Sequence, residues 1–486
     1  MRRAKIVATL GPALDDPVRL RAAIDAGADV FRFNFSHGDL EEHRERLRLV
    51  RELGEEAGRV VGTLGDLQGP KIRLGDVPDG GVTLTEGAEA VLVAGAASLP
   101  ATADEDGTPL LPVVYPALAD DVTAGSLILI DDGSLRLTVE SSDPVTRRVR
   151  TRVVVGGVAT ARKGVNLPGV QVSAPSMTDK DREDLTRMVE LGVDWVALSF
   201  VRRVEDVLEV RALIDQLGGQ QPVIAKLERP EALDDLEAIV AASDAIMVAR
   251  GDLGVEIGPE RVPAIQKEII DLANRLGRPV ITATEMLDSM IRSPRPTRAE
   301  ASDVANAVFD GTDALMLSGE TAAGRYPVEA VRTMARIIEV AESSGGRVRE
   351  VWPDTAHELG RSVAKSATQI AEEVDAVAIL VFSLSGASVQ LVSKYRPHQR
   401  IVGLTPDERA LRRFALMWGT DGAIVPTEDR SLDLMRSADA VCRAGGIGRV
   451  GDRVVIVAGV PGGLGGTNRV IVHELGDESN LTVAGR

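Results

Sequence analysis

Short apolar runs rich in β-branched residues alternate along much of the chain with longer segments whose apolar positions recur at helical spacing. That is the pattern of a parallel sheet with crossover helices. Eight runs read as strands: Lys5–Leu10, Asp29–Ser36, Val60–Asp66, Asp194–Phe200, Pro222–Glu228, Asp244–Ala249, Pro279–Thr284 and Asp313–Leu317. Helical stretches such as Arg203–Leu217, Glu231–Ala242 and Val262–Leu276 follow most of them, and several end at glycine. An open doubly wound sheet shares this alternation; a count of eight favours an α/β fold closed as a (β/α)8 TIM barrel.

The third and fourth strands are too far apart for one crossover. From about Leu74 to Gly164 the pattern becomes short and β-like, as in Ser126–Ile130 and Arg148–Val155. This predicts a small β-barrel unit inserted at a strand's C-terminal end, where barrels build their sites, so the insert would serve as a lid. After Glu342-Ser343-Ser344-Gly345-Gly346 a helical pattern at His357–Glu373 leads to the strands Ala376–Phe382, Arg400–Leu404 and Arg453–Val460, a separate C-terminal α/β domain. The expected division is barrel 1–73, lid 74–164, barrel 165–345 and C-terminal domain 346–486. Gly459–Thr467 reads as a glycine-rich loop.

Composition narrows the class. The 486 residues suit roughly three domains. With 44% hydrophobic but only 3% aromatic residues, aliphatic side chains must fill the core. A formal net charge of −17 argues against a nucleic-acid surface, although an acidic protein can still hold a locally positive pocket for anionic substrates. The lone cysteine, Cys442, precludes an internal disulfide and fits a reducing cytoplasm. No targeting segment is visible at Met1-Arg2-Arg3, and no apolar run approaches the roughly 18–20 residues of a membrane span.

Polar residues cluster where the strands end. On the second strand Arg32, Asn34 and Ser36 alternate with three phenylalanines, so the polar set shares one face, and an arginine pointing into a barrel needs an anion. Lys226 and Glu228 share a face of the fifth strand, as a structural ion pair or as holders of substrate and metal. The sixth strand opens into Arg250-Gly251-Asp252, a turn whose free amides suit a carboxylate or phosphate. Glu228 and Asp252 on adjacent strands can jointly hold Mg²⁺, which takes one or two protein carboxylates beside water and substrate oxygens. In the C-terminal domain, Ser383, Ser385, Gly386 and Ser388 form a turn that either cradles a phosphate or caps a helix.

Five stretches carry a family resemblance: Val30-Phe-Arg-Phe-Asn-Phe-Ser-His-Gly38, Lys163-Gly-Val-Asn-Leu-Pro-Gly169, Met247-Val-Ala-Arg-Gly-Asp-Leu-Gly254, Arg295-Pro-Thr-Arg-Ala-Glu300 and Met316-Leu-Ser-Gly-Glu-Thr321. In number, order and spacing they resemble the pyruvate kinases, from Lys5 into the C-terminal domain. The resemblance implies phosphoryl transfer between phosphoenolpyruvate and ADP, giving pyruvate and ATP, with Mg²⁺ or Mn²⁺ as cofactor. It makes Lys226 the lysine that stabilises the moving phosphoryl group, and Glu228 and Asp252 the metal ligands. Arg32 would meet the phosphate of phosphoenolpyruvate, while the Gly251 and Asp252 amides and the Thr284 hydroxyl hold its carboxylate and enolate end. Asn34, His37, Arg73 and Lys163 match nucleotide-site positions; Asp131 and Asp132 either approach the nucleotide or form a plain turn. Thr284, acting through a bound water, is the expected proton donor to enolpyruvate. The resemblance further implies a homotetramer and a phosphorylated small-molecule effector at Ser383–Ser388, with Gly462–Asn468 closing over it.

One departure stands out. Asn34, Ser36, Asp66 and the Leu67 carbonyl match the family's potassium ligands, yet Lys71 occupies the place of its glutamate. This resembles the potassium-independent branch: a fixed ammonium supplies the charge K⁺ would bring, and K⁺ is not expected to be required. Two rivals remain, another Mg²⁺-dependent barrel enzyme of enolpyruvate chemistry and a metabolite-binding protein that has kept the fold. The first gives no reason for the lid, and intact Lys226, Glu228, Asp252 and Thr284 weigh against the second.

Overall fold

The computed structural model describes residues 2–344, 359–427, 430–459 and 467–476. Eight parallel strands, numbered in chain order, close on themselves: Lys5–Thr9, Val30–Asn34, Gly62–Asp66, Trp195–Leu198, Val223–Leu227, Ala245–Ala249, Val280–Ala283 and Ala314–Leu317. The expected barrel is present, with each strand shorter than its apolar pattern by at most two residues at either end. Val, Ile, Leu, Met and Ala line and surround it, and Trp195, Phe31 and Phe33 are its largest fully buried side chains.

Four of the trimmed residues are aspartates with one shared role. Asp29, Asp194, Asp244 and Asp313 immediately precede strands two, four, six and eight. Their carboxylates accept the amides of Ile6, Thr63, Val223 and Val280, each among the first two residues of strands one, three, five and seven, at 2.8, 2.9, 2.8 and 2.7 Å. A buried amide at the barrel's base needs an acceptor, and the aspartate that precedes the neighbouring strand supplies it. Each aspartate is balanced by cations: Arg2 and Arg59, Arg412, Arg211, and Lys394 with Arg396, respectively.

One helix differs from expectation. Glu231–Ala242 is two helices, Glu231–Asp234 and Leu236–Ala242, broken at Asp235. The Asp235 carboxylate accepts the Val204 amide at the start of helix Val204–Gln216, 2.7 Å away, which draws its backbone out of helical geometry.

The insert leaves after strand three. Six strands in the order Val165–Asn166, Leu127–Ile130, Leu135–Asp143, Arg148–Val155, Glu89–Ala94, Leu110–Val113 form its main sheet, with Val82–Leu84 pairing Gly157–Ala159 beside it. Its apolar core extends past Gly164: Val165, Leu167, Val170 and Val172 pack with the lid strands, so residues 165–172 pack with the lid although they were assigned to the barrel. The returning chain is pinned by Arg202, beyond strand four, which donates to the Val172 and Ala174 carbonyls at 2.7 and 2.9 Å.

The C-terminal sheet runs Thr420–Ile424, Arg400–Thr405, Ala378–Phe382, Arg453–Gly459, Thr467–Glu474, the last strand antiparallel. The three expected strands form its centre and the two edges are additional. Val460, residues 345–358, which include the glycines of the expected linker, and residues 460–466 of the glycine-rich loop lie outside the described residues. The domain docks on the base of the barrel. Lys394, 1% exposed, reaches Asp313 and Asn274 Oδ1, both at 2.6 Å, while Arg396 takes the other Asp313 oxygen at 2.9 Å and stacks over Trp418. Burial pulls the Lys394 ammonium down to about 8, against the opposing pull of Asp313. Asp313→Ala would leave both cations buried without their anion, so it should cost about 3–5 kcal/mol. Urea denaturation is the check, and an unshifted first transition would show that charge does not hold this junction together.

Candidate active site

The C-terminal ends of the strands form a bowl beneath the lid, and its charges form one connected network. Asp66 ends strand three and is 1% exposed. Arg32 on strand two donates Nε to Asp66 Oδ2 at 2.6 Å and NH1 to Thr9 Oγ1 at 3.3 Å. Lys226 on strand five lies 3.3 Å from Asp66 Oδ1 and 3.0 Å from Glu228 Oε1. Burial works to raise the Asp66 pKa, but the Lys226 and Arg32 charges outweigh it and hold the carboxyl below its usual range. For Lys226, burial favours the neutral amine; Asp66 and Glu228 together overcome it and leave the ammonium above the ordinary lysine value. The site therefore keeps a buried, fully charged ammonium.

Glu228 shifts the other way. Its burial, reinforced by the charge of Asp252, pushes the carboxyl up, and Lys226 only partly offsets this. Two carboxylates facing a common space favour a cation between them. Lys71 Nζ supplies one from the hinge, 3.2 Å from Asp252 Oδ1. No group of three or more His, Cys, Asp or Glu side chains suited to a metal occurs among the described residues. Two hard oxygen donors are nonetheless what Mg²⁺ takes from a protein when substrate and water complete its shell.

Strands six and seven build the adjoining corner. The helix Arg250–Ile257 starts directly from strand six, and its Gly251 amide donates to Thr284 Oγ1 at 2.7 Å. Thr284 and Glu285 have φ of 70° and 55°, and Phe200 beyond strand four has 56°. A β-branched residue in the left-handed region is strained by about 1–3 kcal/mol, so its surroundings must impose it. Arg250 does so, donating to the Ala283 and Thr284 carbonyls at 3.2 and 2.8 Å while gripping both Asp303 oxygens at 2.7 Å. Phe200 is held through its amide, which donates to Glu228 Oε2 at 2.8 Å.

The structure thus brings Arg32, Asp66, Lys226 and Glu228 together, joins Gly251 to Thr284, and joins Lys71 to Asp252. Asn34 Oδ1 accepts the Ser36 amide at 3.1 Å, and His37 is exposed just beyond. Arg73 and Lys163 stand on the lid's two connections, near each other: Arg73 donates to the Arg162 carbonyl at 3.2 Å, and Lys163 pairs with Asp131 at 2.9 Å. Asp131 and Asp132, both at positive φ, form the tip of a lid hairpin. Ser383–Ser388 is far from all of these, in the domain at the barrel's base. There Gly386 donates its amide to Ser383 Oγ at 3.0 Å, Ala387 to Ser385 Oγ at 3.5 Å, and Ser388 touches Thr467. Of the closing segment Gly462–Asn468, residues 462–466 lie outside the described residues.

Sequence reading missed Ser199. Strand four lies between strand three, which carries Asp66, and strand five, which carries Lys226. Ser199 at its end fills the gap: its hydroxyl donates to the Leu67 carbonyl at 2.7 Å and accepts from Lys226 Nζ at 2.6 Å. Lys226 therefore has three oxygen neighbours for three N–H donors. The one trace of Ser199 in the chain is a hydroxyl at a strand's C-terminal end. Arg250, present in a quoted stretch, was given no role.

Residues 1–331 match the family described as pyruvate kinase, barrel domain, and residues 361–473 match pyruvate kinase, alpha/beta domain. The chain is 46% identical, in a 489-residue alignment spanning 98% of it and 81% of the relative, to a pyruvate kinase of Geobacillus stearothermophilus. Pyruvate kinase 2 of Synechocystis is 45% identical, with 98% and 79% covered. A crystal structure of a pyruvate kinase from Cryptosporidium parvum superposes at a TM-score of 0.89 with 34% identity, covering 97% of this chain and 96% of that one.

Removing one acceptor from a buried ammonium loosens its aim without emptying the core. Ser199→Ala should lower kcat about tenfold, the worth of a hydrogen bond to a charged group, with a smaller change in KM. Ser199→Thr should restore most of it. Equal rates for all three proteins in steady-state assays would remove Ser199 from the site.

Proposed function

The chain belongs to the pyruvate kinase family, and from that premise we propose that the buried network of Arg32, Asp66, Lys226 and Glu228 is where its phosphoryl transfer takes place. The enzyme is a phosphotransferase acting on phosphoenolpyruvate and ADP. Such a reaction asks the protein to neutralise charge on the moving group and to align donor with acceptor. One observation carries the assignment to these residues: two cations, Arg32 and Lys226, share the two oxygens of a single buried aspartate and face the same bowl.

The residue roles are those the family resemblance implies, and that arrangement supports the ones at its centre. Asp66 sets the spacing of the two cations and absorbs part of their repulsion. Arg32 NH2 has no protein partner among the described residues and meets a phosphate oxygen of phosphoenolpyruvate. Lys226 turns its ammonium to the phosphoryl group in flight. The Asp252 amide, and the Gly251 amide once it releases Thr284 Oγ1, receive the carboxylate at a helix N-terminus. The Thr284 hydroxyl, which already donates to the Ala283 carbonyl at 2.6 Å, lies beside the enolate end, where with a water it delivers the proton. Asn34, His37, Arg73 and Lys163 take the nucleotide, the last two from the lid's connections.

Glu228 and Asp252 would hold the divalent metal; the rise of the Glu228 carboxyl beside Asp252 supports that pair. When bound, Mg²⁺ or Mn²⁺ supplies charge neutralisation for the phosphoryl oxygens. The monovalent cation is dispensable on this reading. Lys71 already brings an ammonium to the metal's edge, although it touches Asp252 and not Asn34 or Ser36. Three of the four would-be potassium ligands are engaged elsewhere: Asn34 Oδ1 with the Ser36 amide, Asp66 with Arg32 and Lys226, and the Leu67 carbonyl with Ser199. We further infer a cytoplasmic homotetramer with a phosphorylated effector at Ser383–Ser388. No helix of the described residues is long and apolar enough to cross a membrane.

Lys226→Met should abolish phosphoryl transfer while largely sparing enolisation of pyruvate, followed by hydrogen exchange at its methyl group. Transfer near the wild-type rate would overturn the role given to Lys226. Replacing K⁺ by Na⁺ or a tetraalkylammonium salt should change kcat by less than about twofold, because the charge is covalently supplied. A large loss in that assay would restore K⁺ to the mechanism.

A further inference from the structure

We propose that His43 is a positioning residue for ADP, setting the nucleotide loop through the His37 carbonyl. The proposal rests on the nucleotide reading of Asn34 and His37 given above.

His43 is the fourth residue of helix Leu40–Glu56, whose start is fixed by Asp39 accepting the Glu41 and Glu42 amides. Its ring is 3% exposed. It stacks on Phe35 with centroids 4.2 Å apart and planes at 21°, and meets Phe33 edge-on at 6.2 Å. A phenylalanine would fill such a place without the cost of burying polar atoms. That cost is real here: Nδ1 is buried with no hydrogen-bond partner among the described residues. What the imidazole offers beyond a hydrocarbon ring is Nε2, 3.0 Å from the His37 carbonyl oxygen. A carbonyl only accepts, so Nε2 carries the proton and donates. Burial also pushes the His43 pKa down, which keeps the ring neutral and in this tautomer.

The His37 carbonyl belongs to a loop whose polar groups are tied down one by one. Ser36 donates its amide to Asn34 Oδ1 and His37 donates its amide to the Asn34 carbonyl, at 3.1 and 3.2 Å. Lys180 donates to the Phe35 carbonyl at 2.7 Å. The loop then turns at Gly38, φ 81°, where a Cβ would come within 2.9 Å of Glu42 and 3.4 Å of His43 Nε2. With its own amide and carbonyl both fixed, the exposed His37 side chain leaves the loop in one direction. Releasing the carbonyl frees the peptide between His37 and Gly38 to rotate.

Two substitutions separate the donor from the packing. His43→Phe keeps the stack and removes the N–H; His43→Gln keeps an N–H and removes the stack. With ADP and phosphoenolpyruvate varied in turn, His43→Phe should raise KM for ADP about five- to tenfold, the scale of one hydrogen bond lost with its acceptor left bare. KM for phosphoenolpyruvate and kcat should move much less, and His43→Gln should recover most of the ADP affinity. If His43→Phe does not fold, His43→Leu is the second variant without a donor. An unchanged KM for ADP, equal rises for both substrates, or a Gln variant no better than Phe would each overturn the proposal. His37→Ala distinguishes the two levels: with it, a normal KM for ADP overturns the nucleotide reading itself. A raised one beside an inert His43→Phe overturns only the role of His43.

Discussion

Asp66 is the anion on which the site depends. Two cations within reach of one substrate repel each other, and neither tolerates a dry environment alone. By lending one oxygen to Arg32 and the other to Lys226, Asp66 holds both charged and a fixed distance apart. The arrangement needs four neighbouring strands ending at one level, because the three residues come from strands two, three and five with strand four between. In the parallel register Asn34 lies beside Asp66 on one side and Ala197 on the other. Strand four thus separates Asp66 from Lys226, and the Ser199 hydroxyl spans that separation. A charge cluster of this kind is available only where several strands end together.

Strain and rigidity concentrate in the same rim. Phe200, Thr284 and Glu285 all hold positive φ at the ends of strands four and seven, each next to a group that faces the bowl. Glu228 restrains the first, and the Arg250 guanidinium, clamped by Asp303, restrains the second. The lid contributes differently. It is joined through two chain connections, one bearing Lys71 and Arg73 and the other Lys163, so groups at these hinges sit at the boundary between a fixed bowl and a separately packed cover.

Much of this was legible in the chain. All eight barrel strands could be read because each is a short β-branched run between polar boundaries, and their C-terminal residues named Arg32, Lys226, Glu228, Asp252 and Thr284. The roles of those residues came from family likeness, since Lys226 and Glu228 alone are equally an ion pair. Ser199 was not seen, because a lone serine between Leu198 and Phe200 has no pattern of its own; its meaning comes from the neighbours on either side. The break at Asp235 was hidden for a related reason, as a carboxylate captured by a distant helix start leaves no periodic trace. The insert was read to about Gly164, whereas Val165, Leu167, Val170 and Val172 pack with the lid strands; four scattered apolar residues carry no periodicity that assigns them to either unit. Lys71 was read as an ammonium standing in for K⁺, whereas its contact with Asp252 depends on how the hinge folds over the bowl and had no trace in the chain.

The four aspartates at the barrel's base are not balanced by the barrel alone. Asp29 and Asp244 find their cations within it, whereas Asp194 and Asp313 receive theirs from Arg412, Lys394 and Arg396 of the C-terminal domain. Half of the ring that terminates the strands is thus completed by a separate folding unit. Taking the domain away would open Asp194 and Asp313 to water and strip Arg412, Lys394 and Arg396 of their anions. Barrel and C-terminal domain thus share one charge balance.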